Sequence, residues 1–221
     1  MPTATRSPGR PEDPTLKAKR EGEIVAAAAE LFARRGYADT QMQTIADHLG
    51  VGNGTVYRYF RTKEALFLAA VERGLAELTA EMDAIMAAGG EPLAQMHSAV
   101  RTYLRFFHRR PEMAELFIQE RAAFRHHHRP LYFVTKAEDD CKHAEFFTRL
   151  QAAGIVRNLP PERFFNVVAD LLYGIVLTNL LSGRAVDPDA QADDVLDVIL
   201  NGVLTDPARK RLTRKSTKGK R

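Results

Sequence analysis

Eight side chains in the first third of the chain are of the kinds that read and grip a nucleic-acid duplex: Thr40, Gln43, Asn53, Thr55, Tyr57, Arg58, Tyr59 and Lys63. Amide, guanidinium and hydroxyl groups bond to base edges and phosphates, while threonine and aromatic carbon meets the thymine methyl. Five of the eight fall in one run, Ile45-Ala46-Asp47-His48-Leu49-Gly50-Val51-Gly52-Asn53-Gly54-Thr55-Val56-Tyr57-Arg58-Tyr59-Phe60. It reads as a short helix, a glycine-bearing turn and a second short helix, the plan of a helix-turn-helix. Ala46 is small where the second helix must cross close to the first. Gly50 is free to take the left-handed conformation that ends a helix. Val51 and Val56 face inward, which leaves Asn53, Thr55, Tyr57, Arg58 and Tyr59 as an outward polar and aromatic face.

Flanking elements must hold that face in place. Ile24, Ala28, Leu31 and Phe32 recur at i, i+4, i+7 and i+8, the apolar stripe of an amphipathic helix over 19–35 that Gly36 stops. Thr40-Gln41-Met42-Gln43 has the form of a capping box and predicts a helix start at Thr40. Thr62 suits the cap of a longer helix through Lys63, Glu64, Leu66, Phe67 and Val71.

Leu31-Phe32, Gly36-Tyr37, Thr40, Ile45-Ala46, Gly50-Val51, Gly54-Thr55, Tyr57, Tyr59-Phe60, Lys63-Glu64 and Leu66 together resemble the N-terminal domain of TetR/AcrR-type one-component transcriptional regulators. The resemblance covers roughly residues 24–67, and beyond residue 70 it is one of architecture. It implies a dimeric repressor of an operator in double-stranded DNA, released by a small-molecule effector. On that footing residues 53–60 enter the major groove, with Thr55, Tyr57 and Arg58 on bases or thymine methyls and Gln43 near a neighbouring base. Thr40, Tyr59 and Lys63 grip phosphates, the last two helped by the start of the following helix. Where the family often has a serine before the recognition helix, this chain has Gly52, which lacks a hydroxyl. Asn53 is then a candidate cap as well as a candidate base reader.

The chain of 221 residues is long enough for one or two domains with a real core, and no run of alternating β-branched residues suggests a strand. Its single cysteine, Cys141, precludes an internal disulfide framework and fits a reducing, cytoplasmic compartment. Residues 1–16 read as a disordered Pro/Thr/Arg arm without the apolar core of a signal peptide. Residues 1–61 carry 9 Lys/Arg against 7 Asp/Glu, and residues 209–221 carry 8 basic groups and no acid. The net charge of +4 therefore comes from the tail, since the middle of the chain is acidic. That tail, part of a disordered segment over 207–221, reads either as a solubilising end or as a phosphate tether working through counterion release.

Breaks at Gly89-Gly90, Arg110-Pro111, Arg129-Pro130, Gly154, Pro160-Pro161 and 183–188 divide the rest into helices near 62–87, 92–108, 111–127, 131–153, 161–182 and 189–204. The expected fold is all-α with about nine helices: a helix-turn-helix domain over 17–61, then a ligand-binding and dimerisation domain over 62–206. The 161–182 segment is apolar on nearly every face and so needs cover on all sides. Asn166, Asp170, Thr178 and Asn179 within it argue against a membrane span. With 189–204 it is expected to build a four-helix dimer interface through Phe164, Val168, Leu171, Ile175, Val195 and Ile199. The resemblance places an effector pocket among the middle helices. The aromatic and imidazole groups there are His97, Tyr103, Phe106, Phe107, Phe117, Phe124, Phe133, Phe147 and, further on, Tyr173. Such a lining suits an aromatic or amphipathic molecule, although each ring also reads as plain core.

His126-His127-His128, with Glu138, Asp139, Asp140, Cys141 and His143, offers metal-ligand chemistry. Neighbouring residues on a helix point about 100° apart, however, and a run just before Pro130 suits a helix terminus. No metal and no cofactor is expected. No P-loop, G-x-S-x-G, H-E-x-x-H or paired C-x-x-C occurs, so an enzyme is not expected either. The alternative left open is a helical metal- or ligand-binding enzyme or carrier with an appended helix-turn-helix. A regulator without any effector is a further one.

Overall fold

The structure, a computed structural model, describes residues 14–125 and 129–202, without the side chains of 137–143. These residues form α-helices: α1 Pro14–Arg35, α2 Met42–His48, α3 Asn53–Tyr59, α4 Lys63–Ala88, α5 Pro92–Arg109, α6 Pro111–Phe124, α7 Leu131–Ala152, α8 Pro161–Ser182 and α9 Pro188–Asn201. The all-α architecture is as expected, nine helices among the described residues. α1 begins at Pro14 rather than residue 19, because proline is tolerated in a first helical turn. The arm before it, the His126–His128 run and the basic tail lie outside the described residues, and so do the side chains of Glu138, Asp139, Asp140, Cys141 and His143.

Packing separates the chain into two units. One holds residues 14–80 and 110–143, the other residues 81–109 and 144–202. The expected border at 61/62 is not where the packing divides. In the first unit α6 lies along α1, so α2 and α3 share a core with an element some fifty residues further along the chain. Ile24, Ala28, Phe32, Ile45, Ala46, Val56, Leu66, Phe67, Val71, Met113 and Leu116 are shut away from solvent there. Gly74 on α4 permits a close approach: a Cβ at that position would sit 2.1 Å from the Met113 sulfur on α6. Gln119 Nε2 donates to the Phe32 carbonyl at 2.9 Å, and the Arg110 guanidinium bonds Glu77 and Glu112. The buried Glu120 accepts from the Leu131 N–H at 2.9 Å, satisfying one of the free donors that open α7.

In the second unit α5 packs along α9 and touches α8. Arg101 and Arg105, one turn apart, donate to Asp193 at 2.5 Å and bidentately to Asp189 at 2.6 and 2.7 Å. Asn179 and Gln191 exchange amide bonds of 2.8 and 3.3 Å between α8 and α9. Phe147 and Leu150 centre a further cluster with Met86, Val156, Leu159, Phe164 and Phe165. Along α8 only Leu172 and Val176 are fully buried.

Candidate nucleic-acid interface

The turn between α2 and α3 is closed by two backbone bonds, Val51 N–H to Ala46 O at 3.0 Å and Gly50 N–H to Asp47 O at 3.1 Å. This paired pattern requires a left-handed residue at Gly50, whose φ is +65°. Ala46 and Val56 have no exposed surface, which lets the two short helices sit close. The consequence is an outward face on α3. Tyr57 is 46% exposed, and the Arg58 guanidinium lies 5.4 Å from the Tyr59 ring centre, steadying both. Thr55, in the first turn of the same short helix, is half-buried. On α2, Gln43 is exposed and donates to Asp47 Oδ1 at 2.6 Å, one turn along its own helix.

Three residues are placed otherwise than expected. Thr40 is wholly buried, and its hydroxyl donates inward to Gly36 O at 2.8 Å and Leu31 O at 3.3 Å. It closes the end of α1 rather than meeting a phosphate, and it does not cap α2, whose N-cap is Gln41 without a side-chain bond. Lys63 Nζ donates to Tyr37 O at 2.8 Å and Ala38 O at 3.2 Å, and lies 4.4 Å from the Tyr37 ring centre. Its charge balances carbonyls just beyond α1, where a helix end attracts cations. The capping task given to Asn53 falls instead to the backbone of Gly52; Asn53 is the first residue of α3, and its Oδ1 is buried without a hydrogen-bond partner among the described residues. The start of α4 is capped by Thr62, whose Oγ1 accepts from Ala65 N–H at 3.0 Å, as the sequence suggested.

Tyr37 was not among the expected site residues, yet it organises this corner. Its ring meets Phe32, Phe67 and Phe124 at 5.8, 5.1 and 4.9 Å between centres. Burial, and then the nearby Glu64 carboxylate, push its hydroxyl pKa upward. The Gly-Tyr dipeptide after α1 was the available signal, but nothing local says which rings gather round it.

The residues expected around an effector divide between the units. Phe117, Phe124 and Phe133 belong to the first, where Phe124 packs on Tyr37 and Phe67 in the core that also holds α1. Phe117 stacks near Tyr132, which in turn meets Phe133. His97, Tyr103, Phe106, Phe107, Phe147 and Tyr173 belong to the second. Of these Tyr103, Phe106, Phe107 and Phe147 are buried, while His97 and Tyr173 are partly so. Among the described residues no group of three or more His, Cys, Asp or Glu is placed to hold a metal ion.

For the expected dimer face the outcome is mixed. Val195 is buried within its own unit, and Phe164 stacks on Phe147 at 4.6 Å, so both serve the unit's interior. Val168, Ile175 and Ile199 are half-buried and Leu171 is 40% exposed. Val167, Leu171, Gly174, Thr178 and Leu181 recur every three or four residues as one exposed stripe of α8, with Val167 at 62% and Leu181 at 76% exposure. By length and composition alone α8 could cross a membrane, but its polar side is engaged by the Asn179–Gln191 pair with α9.

Residues 24–70 match the family described as bacterial regulatory proteins, tetR family. The transcriptional repressor KstR of Mycobacterium tuberculosis is 31% identical over 97 residues, 44% of this chain and 44% of its own length. The chain thus aligns with less than half of that curated relative. The fatty acid degradation regulator FadR from Bacillus halodurans superposes with a TM-score of 0.71 at 16% identity, over 88% of this chain and 97% of its own. The FadR regulator from Bacillus subtilis, in complex with stearoyl-CoA, gives 0.70 at 19% identity, over 83% and 99%. The matched segment holds α2, α3 and the glycine-closed turn between them, so this part of the chain is similar to the bacterial regulatory proteins of the tetR family, and the fold beyond it is shared with these solved regulators.

Proposed function

We propose that this protein is a dimeric, ligand-responsive transcriptional repressor that acts on DNA in the cytoplasm. The observation that carries the reading is the exposed α3 face of Tyr57 and Arg58, with the half-buried Thr55 beside them, held outward by the Gly50 turn. Tyr57 and Arg58 supply base-edge and methyl contacts, Gln43 a neighbouring one, and Tyr59 with the start of α4 the phosphate contacts. Lys63 acts here by fixing the turn before α2.

A second copy of the chain is the occupant proposed for the α8 stripe. An operator read by two heads needs two linked subunits, and an apolar stripe of this length is uncommon on a monomer. Val167, Leu171 and Leu181 form it, and Val198 of α9 is likewise exposed, at 52%.

The effector proposed is amphipathic, with a substantial apolar part. Tyr103, Phe106, Phe107 and Phe147 give the second unit a buried apolar interior of the kind such a molecule requires, and a structural neighbour holds stearoyl-CoA. The ligand weakens DNA binding only as far as it prefers the non-binding conformation.

The test is selection of duplexes from random-sequence DNA by the purified protein, followed by gel shift and by melting-temperature titration with long-chain acyl-CoA. Enrichment of a two-fold symmetric sequence, whose complex the acyl-CoA dissolves, is the expected result. Failure to enrich any sequence removes the DNA-binding reading. Enrichment without any thermal shift removes only this effector class.

A further inference from the structure

Inside the first unit α6 is fastened to α1 and α4 along its whole length. Arg110, just before its first residue, bonds Glu77 of α4. Met113 fills the notch left by Gly74, and Gln119 bonds the α1 backbone at Phe32. At its last residue, Phe124 meets the Tyr37 ring at 4.9 Å and 70° and the Phe67 ring at 5.6 Å. Tyr37 is also the residue on which Lys63 rests, through its carbonyl at 2.8 Å and its ring at 4.4 Å. A continuous series of contacts therefore runs from the end of α6, through the turn after α1, to the first residue of α4. Only three residues separate α3 from that point.

We propose that Phe124 is a positioning residue for DNA binding: its ring sets the Tyr37 turn, which holds Lys63 and thereby fixes the start of α4 and the pose of α3. Packed rings are discrete in arrangement, so a displacement of the last turn of α6 repacks Tyr37 instead of being absorbed by it. Phe124 is itself buried and touches no DNA in this scheme; it acts through the turn. The inference rests on α3 being the DNA reader.

Three measurements test it, all with the full-length protein and a duplex that the protein itself has selected. In the unaltered protein, DNA binding should slow amide exchange in residues 118–125 together with residues 36–40, as well as in α3. Phe124→Leu should lower operator affinity tenfold or more with unchanged far-UV circular dichroism and sedimentation. In a Lys63→Met background the same substitution should cost much less than tenfold, because the path has already been cut. Protection of α3 without any change in 118–125 overturns the proposal, and so does an equal loss from Phe124→Leu in both backgrounds. Should Phe124→Leu fail to fold, the exchange measurement decides alone. A protein that retards no duplex refutes the DNA reading of α3 instead, so the two failures are distinguishable.

Discussion

Replacing Thr40 with valine separates two physical roles for one hydroxyl. Valine keeps the shape and apolar bulk but removes the donor, leaving the half-buried Gly36 carbonyl without its 2.8 Å partner and the buried Leu31 carbonyl without its 3.3 Å one. Stranding a buried acceptor costs about 1–3 kcal/mol. For a cooperative unit in a chain of this size, 1 kcal/mol corresponds to about 2–4 °C in melting temperature, so a fall of between about 2 and about 12 °C is expected. Differential scanning calorimetry reads it. A phosphate contact would behave differently: its loss leaves stability alone and flattens the dependence of log affinity on log salt by about 0.9. Gel shifts at several salt concentrations should therefore show an unchanged slope for the folded variant. An unchanged melting temperature with a slope reduced by about one would refute the inward role of Thr40.

Three other outcomes are expected. Tyr57→Ala should cost about 1–3 kcal/mol in selected-site affinity while leaving nonspecific binding nearly intact, measured by competition gel shift. Leu171→Glu places a charge on a residue that is 40% exposed in the single chain, so folding should survive. If the α8 stripe meets a second copy, that charge is desolvated at several kcal/mol, and sedimentation should report monomers; a soluble dimer would rule the stripe out as the interface. The Asp189 carboxylate is held below its ordinary 3.8 chiefly by its hydrogen bond from Arg105. A lowered carboxylate pKa contributes stability that is present above the ordinary value and lost as pH falls through the lowered one. Melting temperatures of Asp189→Asn and the unaltered protein should thus differ above pH 4 and converge in stronger acid, the effect being modest for so exposed a pair.

The reading head and the exposed stripe of α8 differ in how much local sequence could say about them. Gly50, Ala46 and Val56 carry their meaning in their own steric properties, so the turn, the register of α2 and α3 and the outward face of Tyr57 and Arg58 follow from the sequence. Helical periodicity and the Gly and Pro breaks likewise set the elements, with α1 off only where its first turns pack on little and leave no apolar stripe to read. The destinations of polar and aromatic groups did not follow. Thr40 has the capping-box spacing, yet its hydroxyl turns back to the carbonyls of Leu31 and Gly36, because its own side chain is buried against the end of α1. The Lys63 ammonium finds carbonyls that are distant in sequence and adjacent only once α1 and α4 have packed. Phe124 and Val195 show the same for apolar side chains: a ring or methyl at helical spacing must be buried, but whether against a ligand, a second chain or its own unit depends on which helix lies opposite. Amino-acid types and their spacing determine which atoms must find a partner, and tertiary packing alone decides which partner, because those contacts join residues that share no local pattern.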